Sequence, residues 1–302
     1  MSVSSILLGI DLGGTQVKGL AITGDGRVVA EETCPTADRG DGAWREQVRS
    51  ACAALRRRCP QAAAIGLCAP GLAARDERTI ASMPGRLAGL EGLVWSEFLG
   101  LPAIVLNDAH AALLGELWLG AARGLDNVLM LTLGTGVGGA AVVEGRLLRG
   151  QLGRAGHVGH MSLDPGGTPD IVGTPGSLED AIGDCTVAAR SGGRFSSTRE
   201  LVAAAAAGNV HAQTIWTTSV RALAATLASL INVLDPHTIV LGGGIAAAGE
   251  ALFAPLRAEL DRMEWRIAGM PRVALVASRL GTQSGAIGAA FRARQFVFPT
   301  QS

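Results

Sequence analysis

The chain has 302 residues, 48% of them apolar, and its 26 basic side chains balance 26 acidic ones. That length suits one large domain or two ordinary ones, and the balanced charge argues against a nucleic-acid-binding protein, whose basic footprint should be visible. The five cysteines are an odd number with no CxxC pair, which fits a reducing cytosol. The opening MSVSSILLGID lacks the basic and long apolar regions of a signal peptide. The longest apolar helix-like run, Leu223 to Leu234, is too short to span a bilayer. A cytoplasmic protein with no membrane partner is therefore expected.

Ile6–Ile10 reads as a buried strand, Gly13-Gly14 as a turn, Val17–Thr23 as a strand, Gly24-Asp25-Gly26 as a second turn, and Val28–Cys34 as the strand closing a meander. A helix is predicted over 43–58, a strand over Ala64–Ala69 ending in Pro70-Gly71, and a strand over Ile104–Leu106. That last strand delivers Asn107-Asp108 to a helix over 109–120. The opening pattern then recurs: strand Val128–Leu133, turn Gly134-Thr135-Gly136, strand Gly138–Val143, turn Glu144-Gly145-Arg146, then Leu147-Leu148. The Gly26-Arg27 pair comes back as Gly145-Arg146, 119 residues on, which suggests two related lobes. Residues 151–179 are rich in Gly and Pro and read as loop. Helices follow at 199–207 and 210–233, then strand Thr238–Leu241, a helix opened by Gly242-Gly243-Gly244, and a final helix over Gly281–Gln295.

Four segments carry chemistry. In GIDLGGTQVKG a glycine turn follows a strand, but the chain continues as strand rather than helix, so the dinucleotide fingerprint does not apply. A phosphate-binding hairpin does: Gly13 and Gly14 let backbone N–H groups approach anionic oxygens, and Thr15 adds a hydroxyl. Asp11 would repel bare phosphate and is assigned to Mg²⁺ or its water shell. LTLGTGVGG, with Gly134, Thr135 and Gly136, is a second hairpin of the same type, and the two could clamp one polyphosphate. Either alone would also suit an ordinary turn. Asp108 sits between a strand end and a helix start, where ligands meet an open α/β sheet. It could take a proton from an attacking hydroxyl, or simply cap the helix. VLGGGI, with Gly243 and Gly244, suits a strand-to-helix turn that admits a nucleoside.

In order, GIDLGGT, APG at 69–71, NDAHAALLGE, GTGVGG, GRAGHVGHM, PGSLE and LGGGI resemble the motifs of the ROK (repressor, open reading frame, kinase) family of sugar kinases and regulators, over nearly the whole chain. The resemblance implies an α/β, two-lobed actin-like ATPase (ribonuclease H-like) fold with a cleft between lobes. The N-terminal lobe would span 1–118 with a returning helix 283–302, and the C-terminal lobe 119–282. It implies ATP and Mg²⁺ as cofactors, Asp108 as general base, and a sugar held near Gly71 by Asn107, Asp108, His160 and Glu179. A homodimer without nucleic-acid partners is expected, and the five residues ahead of Ile6 argue against the repressor branch.

Three departures stand out. The family's AGEIGH is AGHVGH here, so His157 replaces a sugar-binding Glu; an imidazole can donate as well as accept, and His157 is taken as a sugar contact. The zinc loop CxCGxxGCLE reads Asp170-Ile171-Val172-Gly173-Thr174-Pro175-Gly176-Ser177-Leu178-Glu179. Its three thiolates are gone, so no structural zinc is expected, and Pro169 and Pro175 would stiffen the loop instead. The family's PN becomes Pro84-Gly85, followed by Arg86. An ATP-dependent, glucokinase-like sugar kinase is the leading reading. The rival is a sugar-binding or regulatory protein with altered catalysis and no DNA-binding domain.

Overall fold

The structure, a computed structural model, describes residues 5–299. Two compact units emerge. Unit 1 runs through Gly124 and adds 149–155 and the chain from 279 onward; unit 2 holds 125–148 and 156–278.

Unit 1 begins with β1 (Ile6–Leu12), β2 (Gln16–Thr23) and β3 (Val28–Pro35), paired antiparallel. Then come α1 (Trp44–Arg58), β4 (Ala62–Ala69), the short ribbon β5 (Leu72–Ala73) and β6 (Ile80–Ser82), α2 (Trp95–Leu99), β7 (Ala103–Asn107) and α3 (Asp108–Leu119). Its sheet order is β3-β2-β1-β4-β7, with β1, β4 and β7 parallel. The apolar run of β1 is continuous because the strand is covered on both faces. One cover is α1, whose Val48, Cys52 and Leu55 are buried, with Trp44 packed 6.0 Å from Trp95. The β5–β6 ribbon and α2 are too short to leave a periodic signal in the sequence.

Unit 2 repeats the plan. β8 (Val128–Leu133), β9 (Val137–Val143) and β10 (Arg146–Leu147) form the antiparallel half. α4 (Leu178–Ile182), α5 (Val187–Arg190), α6 (Thr198–Ala206), α7 (Val210–Leu234), β11 (Thr238–Gly242), α8 (Glu250–Met263) and β12 (Ala274–Ala277) follow. The order β10-β9-β8-β11-β12, with β8, β11 and β12 parallel, is the strand arrangement of unit 1. By length and composition α7 is long and apolar enough to cross a membrane, unlike the shorter run read from the sequence. Half of its apolar window is buried in unit 2, where Trp216, Leu223, Leu227 and Leu230 join the core with α6 and α8. That is the pattern of a core helix.

Two sequence expectations change in unit 2. Gly242–Gly244 does not open a helix directly: a 3₁₀ turn over Ala246–Ala248 intervenes, and α8 starts only after Gly249, whose φ of +60° breaks the path. The 151–179 loop contains a 3₁₀ turn, Val158–His160, and a hairpin bridged at Pro169–Pro175 and Ser162–Ser177.

The chain then returns to unit 1 as α9 (Ser284–Val297), packed on β1, β4 and α3; residues 300–302 of the span read from the sequence lie outside the described residues. Glycines permit this approach. A Cβ at Gly9 or Gly66 would collide with the carbonyls of Ala286 or Ala289, and one at Gly288 with that of Ala111. Buried Glu116 holds the entry to α9, accepting from the N–H groups of Ala121, Arg279 and Leu280 at 2.7, 3.1 and 2.9 Å. Residues 149–155, inside the 119–282 span read as the second lobe, group with unit 1 because Arg149 reaches Glu77 at 3.0 Å and the carbonyls of Ala74 and Arg75. Glu77 is buried and also pairs with Arg292 of α9 at 2.9 Å.

Candidate active site

In unit 1 the parallel strands β1, β4 and β7 end together, and their register sets Asp11 beside Cys68 and Asn107 beside Ala69. Ligands bind open α/β sheets at this carboxyl edge. The turn Gly13-Gly14-Thr15 leads from β1 to β2; it is closed by the Gly13 N–H donating to the Gln16 carbonyl at 3.0 Å and braced by the Thr36 hydroxyl on the Gly13 carbonyl at 2.7 Å. The Asp11 carboxyl has its pKa raised to about 6, first by burial and then by the charge of Asp108; a Cys68 thiol hydrogen bond and Lys18 pull the other way. Lys18, the chain's single lysine, stands directly across from Asp11 in the β1–β2 register. Two mutually repelling carboxylates, one of them poorly solvated, make a place where a divalent cation lowers the energy. On that ground Mg²⁺ fits.

The sequence left Asp108 open between a base and the cap of α3, and the structure gives that cap to its neighbour. Asn107 caps α3: its Oδ1 accepts from the N–H groups of Ala109 at 2.9 Å and His110 at 3.3 Å. Its Nδ2 donates to the Gly71 carbonyl at 3.0 Å. Asp108 is the first helical residue, exposed, with Oδ1 accepting from Ala109 N–H at 2.7 Å. Gly71 has φ of +95° and no room for a Cβ beside the Ser82 carbonyl. The APG turn, the cap and Asp108 are thus one connected piece.

The structure also brings Arg86 to the first glycine turn, a place that sequence reasoning does not give it. Its guanidinium donates to the Gly14 carbonyl at 3.3 Å and pairs with Asp38 at 3.3 Å. It lies where a side chain at Gly14 would have to go. With Asp38, Gly40 and Met83 it lines an open cavity of about 570 Å³. The alternation of β2 could have flagged Lys18; the sequence marks Arg86 only as the residue after Pro84-Gly85, and its place at Gly14 depends on a partner 72 residues away.

In unit 2 the turn Gly134-Thr135-Gly136 joins β8 to β9, with Gly134 N–H donating to the Gly136 carbonyl at 2.9 Å. Three segments are stitched to it. The N–H groups of Asp184 and Cys185 donate to the carbonyls of Gly134 and Thr135 at 3.0 and 2.9 Å. Glu179 Oε2 accepts from Val137 N–H at 2.8 Å and fills the space a Gly136 side chain would need. Gly243, at φ +87°, sits against the Leu133 carbonyl, while no atom crowds Gly244 or Gly134. Unit 2 therefore gathers the Gly134-Thr135-Gly136 turn, Gly243 and Glu179 at the ends of β8 and β11.

The AGHVGH segment lies on β9. A Cβ at Gly159 would strike the Val137 carbonyl, and one at Gly156 would press on that of Gly139. Half-buried His157 precedes the 3₁₀ turn, and His160 ends it. His160 Nδ1 bonds Asp170 Oδ2 at 2.8 Å. The residues of this loop do not fit zinc. His160 and Asp170 satisfy one another, Val172 has no donor atom, and the Ser177 hydroxyl caps α4 through Asp180 N–H at 3.2 Å. Among the described residues no group of three or more His, Cys, Asp or Glu is arranged to hold a metal.

Comparison with known proteins shows the family. The ROK family profile matches residues 7–295. A glucokinase of Halalkalibacterium halodurans is 30% identical, over 95% of this chain and 94% of the relative. An N-acetylmannosamine kinase of Citrobacter koseri is also 30% identical, over 95% and 98%. Among solved structures, a ROK family glucokinase from Streptomyces griseus in complex with glucose and AMPPNP superposes with a TM-score of 0.82 at 26% identity, over 96% of this chain and all of that one. Matched along almost its full length in both sequence and fold, the chain belongs to the ROK family.

Proposed function

We propose that this protein transfers the γ-phosphoryl group of ATP to a hydroxyl of a hexose or related sugar, with Asp108 as general base. The observation that carries the reading is the division of labour at the start of α3. Asn107 takes the capping role, and Asp108 remains as an exposed carboxylate electrostatically coupled to Asp11 at the carboxyl edge of the unit 1 sheet. Kinship supports the same chemistry, since relatives are named for glucose and N-acetylmannosamine phosphorylation. Identity is 30% to a kinase named for each of the two sugars, so the assay spans both classes.

In this mechanism Asp108 accepts the hydroxyl proton as the sugar oxygen bonds to the γ-phosphorus and the bond to the ADP oxygen breaks. The Ala109 N–H, donating to Asp108 Oδ1 at 2.7 Å, would help to aim the carboxylate. Gly13-Gly14-Thr15 and Gly134-Thr135-Gly136 offer backbone donors to phosphate oxygens, and Gly243-Gly244 leaves space for the nucleoside. Asp11 would hold Mg²⁺ through its water shell; the ion would offset phosphate charge. His157, His160 and Glu179 would contact the sugar.

The test is ADP release across hexoses, N-acetylhexosamines, pentoses and polyols. Sugar-dependent release, lost in Asp108→Asn, is expected. Tight sugar binding without turnover would favour the sugar-binding protein with altered catalysis.

A further inference from the structure

We propose that Asp170 is a positioning residue that holds His160 in the Nδ1–H tautomer, so that Nε2 is presented to the sugar as a hydrogen-bond acceptor. This rests on His160 as a sugar contact.

The Asp170 side chain is 0% exposed, whereas His160 keeps 28% of its side chain in contact with solvent. Every carboxylate bond faces the loop. Oδ2 meets His160 Nδ1 at 2.8 Å, and Oδ1 accepts from the N–H groups of Val172 at 3.0 Å and Thr174 at 2.9 Å. Burial raises the Asp170 pKa, but hydrogen bonds from His160, Thr174, Val172 and Ser177 outweigh it and hold the carboxyl below its ordinary value. An ionised carboxylate only accepts, so the shared proton belongs to Nδ1. In the neutral ring the second nitrogen, Nε2, then carries the lone pair.

The support is rigid. Asp170 N–H donates to the Thr174 carbonyl and Gly173 N–H to the Asp170 carbonyl, both at 2.9 Å. The Ser162 hydroxyl donates to the Pro175 carbonyl at 2.6 Å, and Gly176 N–H to that of Thr168 at 2.9 Å. The arrangement ties loop to histidine without a metal. It selects a sugar that offers a hydroxyl proton at this point.

Asp170→Asn isolates the claim. The Oδ1 of the new amide can still accept from Val172 and Thr174, which turns its NH₂ toward His160 Nδ1. That makes Nδ1 an acceptor and drives the imidazole to Nε2–H. The flipped amide would set NH₂ against two backbone donors and is disfavoured.

The experiment is long-range ¹H–¹⁵N correlation of the imidazoles in the full chain, with the His160 signals assigned by their loss in His160→Gln. Sugar and nucleotide kinetics and metal analysis accompany it. The expected results are Nδ1–H in the wild type and Nε2–H in Asp170→Asn. The variant's sugar KM should rise about tenfold, the scale of one hydrogen bond, with kcat and nucleotide KM within about twofold. Nε2–H in the wild type, stoichiometric zinc on the ring, or a switched tautomer with unchanged sugar KM would overturn the proposal. If His160→Gln leaves sugar KM unmoved, His160 is not a sugar contact: the sugar half of the proposal falls, and the tautomer measurement decides the positioning half.

Discussion

Replacing Asp11 with asparagine should make the ligand-free protein more stable at neutral pH while removing its nucleotide-dependent activity. Folding raises the Asp11 pKa from 3.8 to about 6, chiefly by burial and secondly by Asp108. The folded chain therefore binds more protons than the unfolded chain between those values. This contribution is fully present below the unfolded value of 3.8 and is lost as pH rises through about 6. At neutral pH the ionised carboxylate then costs the fold roughly 2–3 kcal/mol, at about 1.4 kcal/mol per unit. The amide keeps the shape and an acceptor for the Cys68 thiol but has no charge to desolvate. Urea unfolding followed by tryptophan fluorescence should give near-equal stabilities at pH 4 and an advantage of about 2 kcal/mol for the Asp11→Asn variant at pH 7.5. Because the two proteins differ at one group, carboxylates remote from Asp11 cancel from the comparison, and the coupling to Asp108 is part of the effect measured. Mg²⁺ with ATP should recover stability in the wild type alone. A gain of equal size at both pH values, or none, would refute the reasoning.

Asp108→Asn should lower kcat by about two to four orders of magnitude with nucleotide binding retained, as isothermal titration can check; near-normal turnover would remove the base assignment. Gly134→Ala meets open space and should raise nucleotide KM with little effect on the sugar, whereas Gly136→Ala displaces Glu179 and should raise both. Equal kinetic profiles for the two variants would contradict separate roles for turn and carboxylate. Glu77→Ala strips the partner from Arg149 and Arg292 and should cost about 3 kcal/mol in urea unfolding, the low end for a broken buried pair because both arginines are partly exposed.

Much of the architecture was legible in the sequence because its signals are local. Continuous apolar strands ending in glycine turns, and their recurrence from Gly26 to Gly145, mark two copies of one strand plan, and the seven ordered motifs pointed to the family. Other features were hidden because their meaning depends on a partner far along the chain. Arg86 meets Gly14 across 72 residues and Gln283 meets Glu31 across 252. The glycines of α9 answer to carbonyls that no periodicity predicts.

The site divides along the same line. By itself the sequence determined which residue types are available: two carboxylates at strand ends, two glycine turns, two histidines in AGHVGH and no thiolates in the following loop. Only the tertiary structure decided their places and partners. It gave the cap to Asn107 and the exposed helix start to Asp108, set Glu179 against Gly136, and joined His160 to Asp170. The reason is that hydrogen bonding and desolvation act over about 3 Å in space, a distance that sequence order does not encode until the chain has packed.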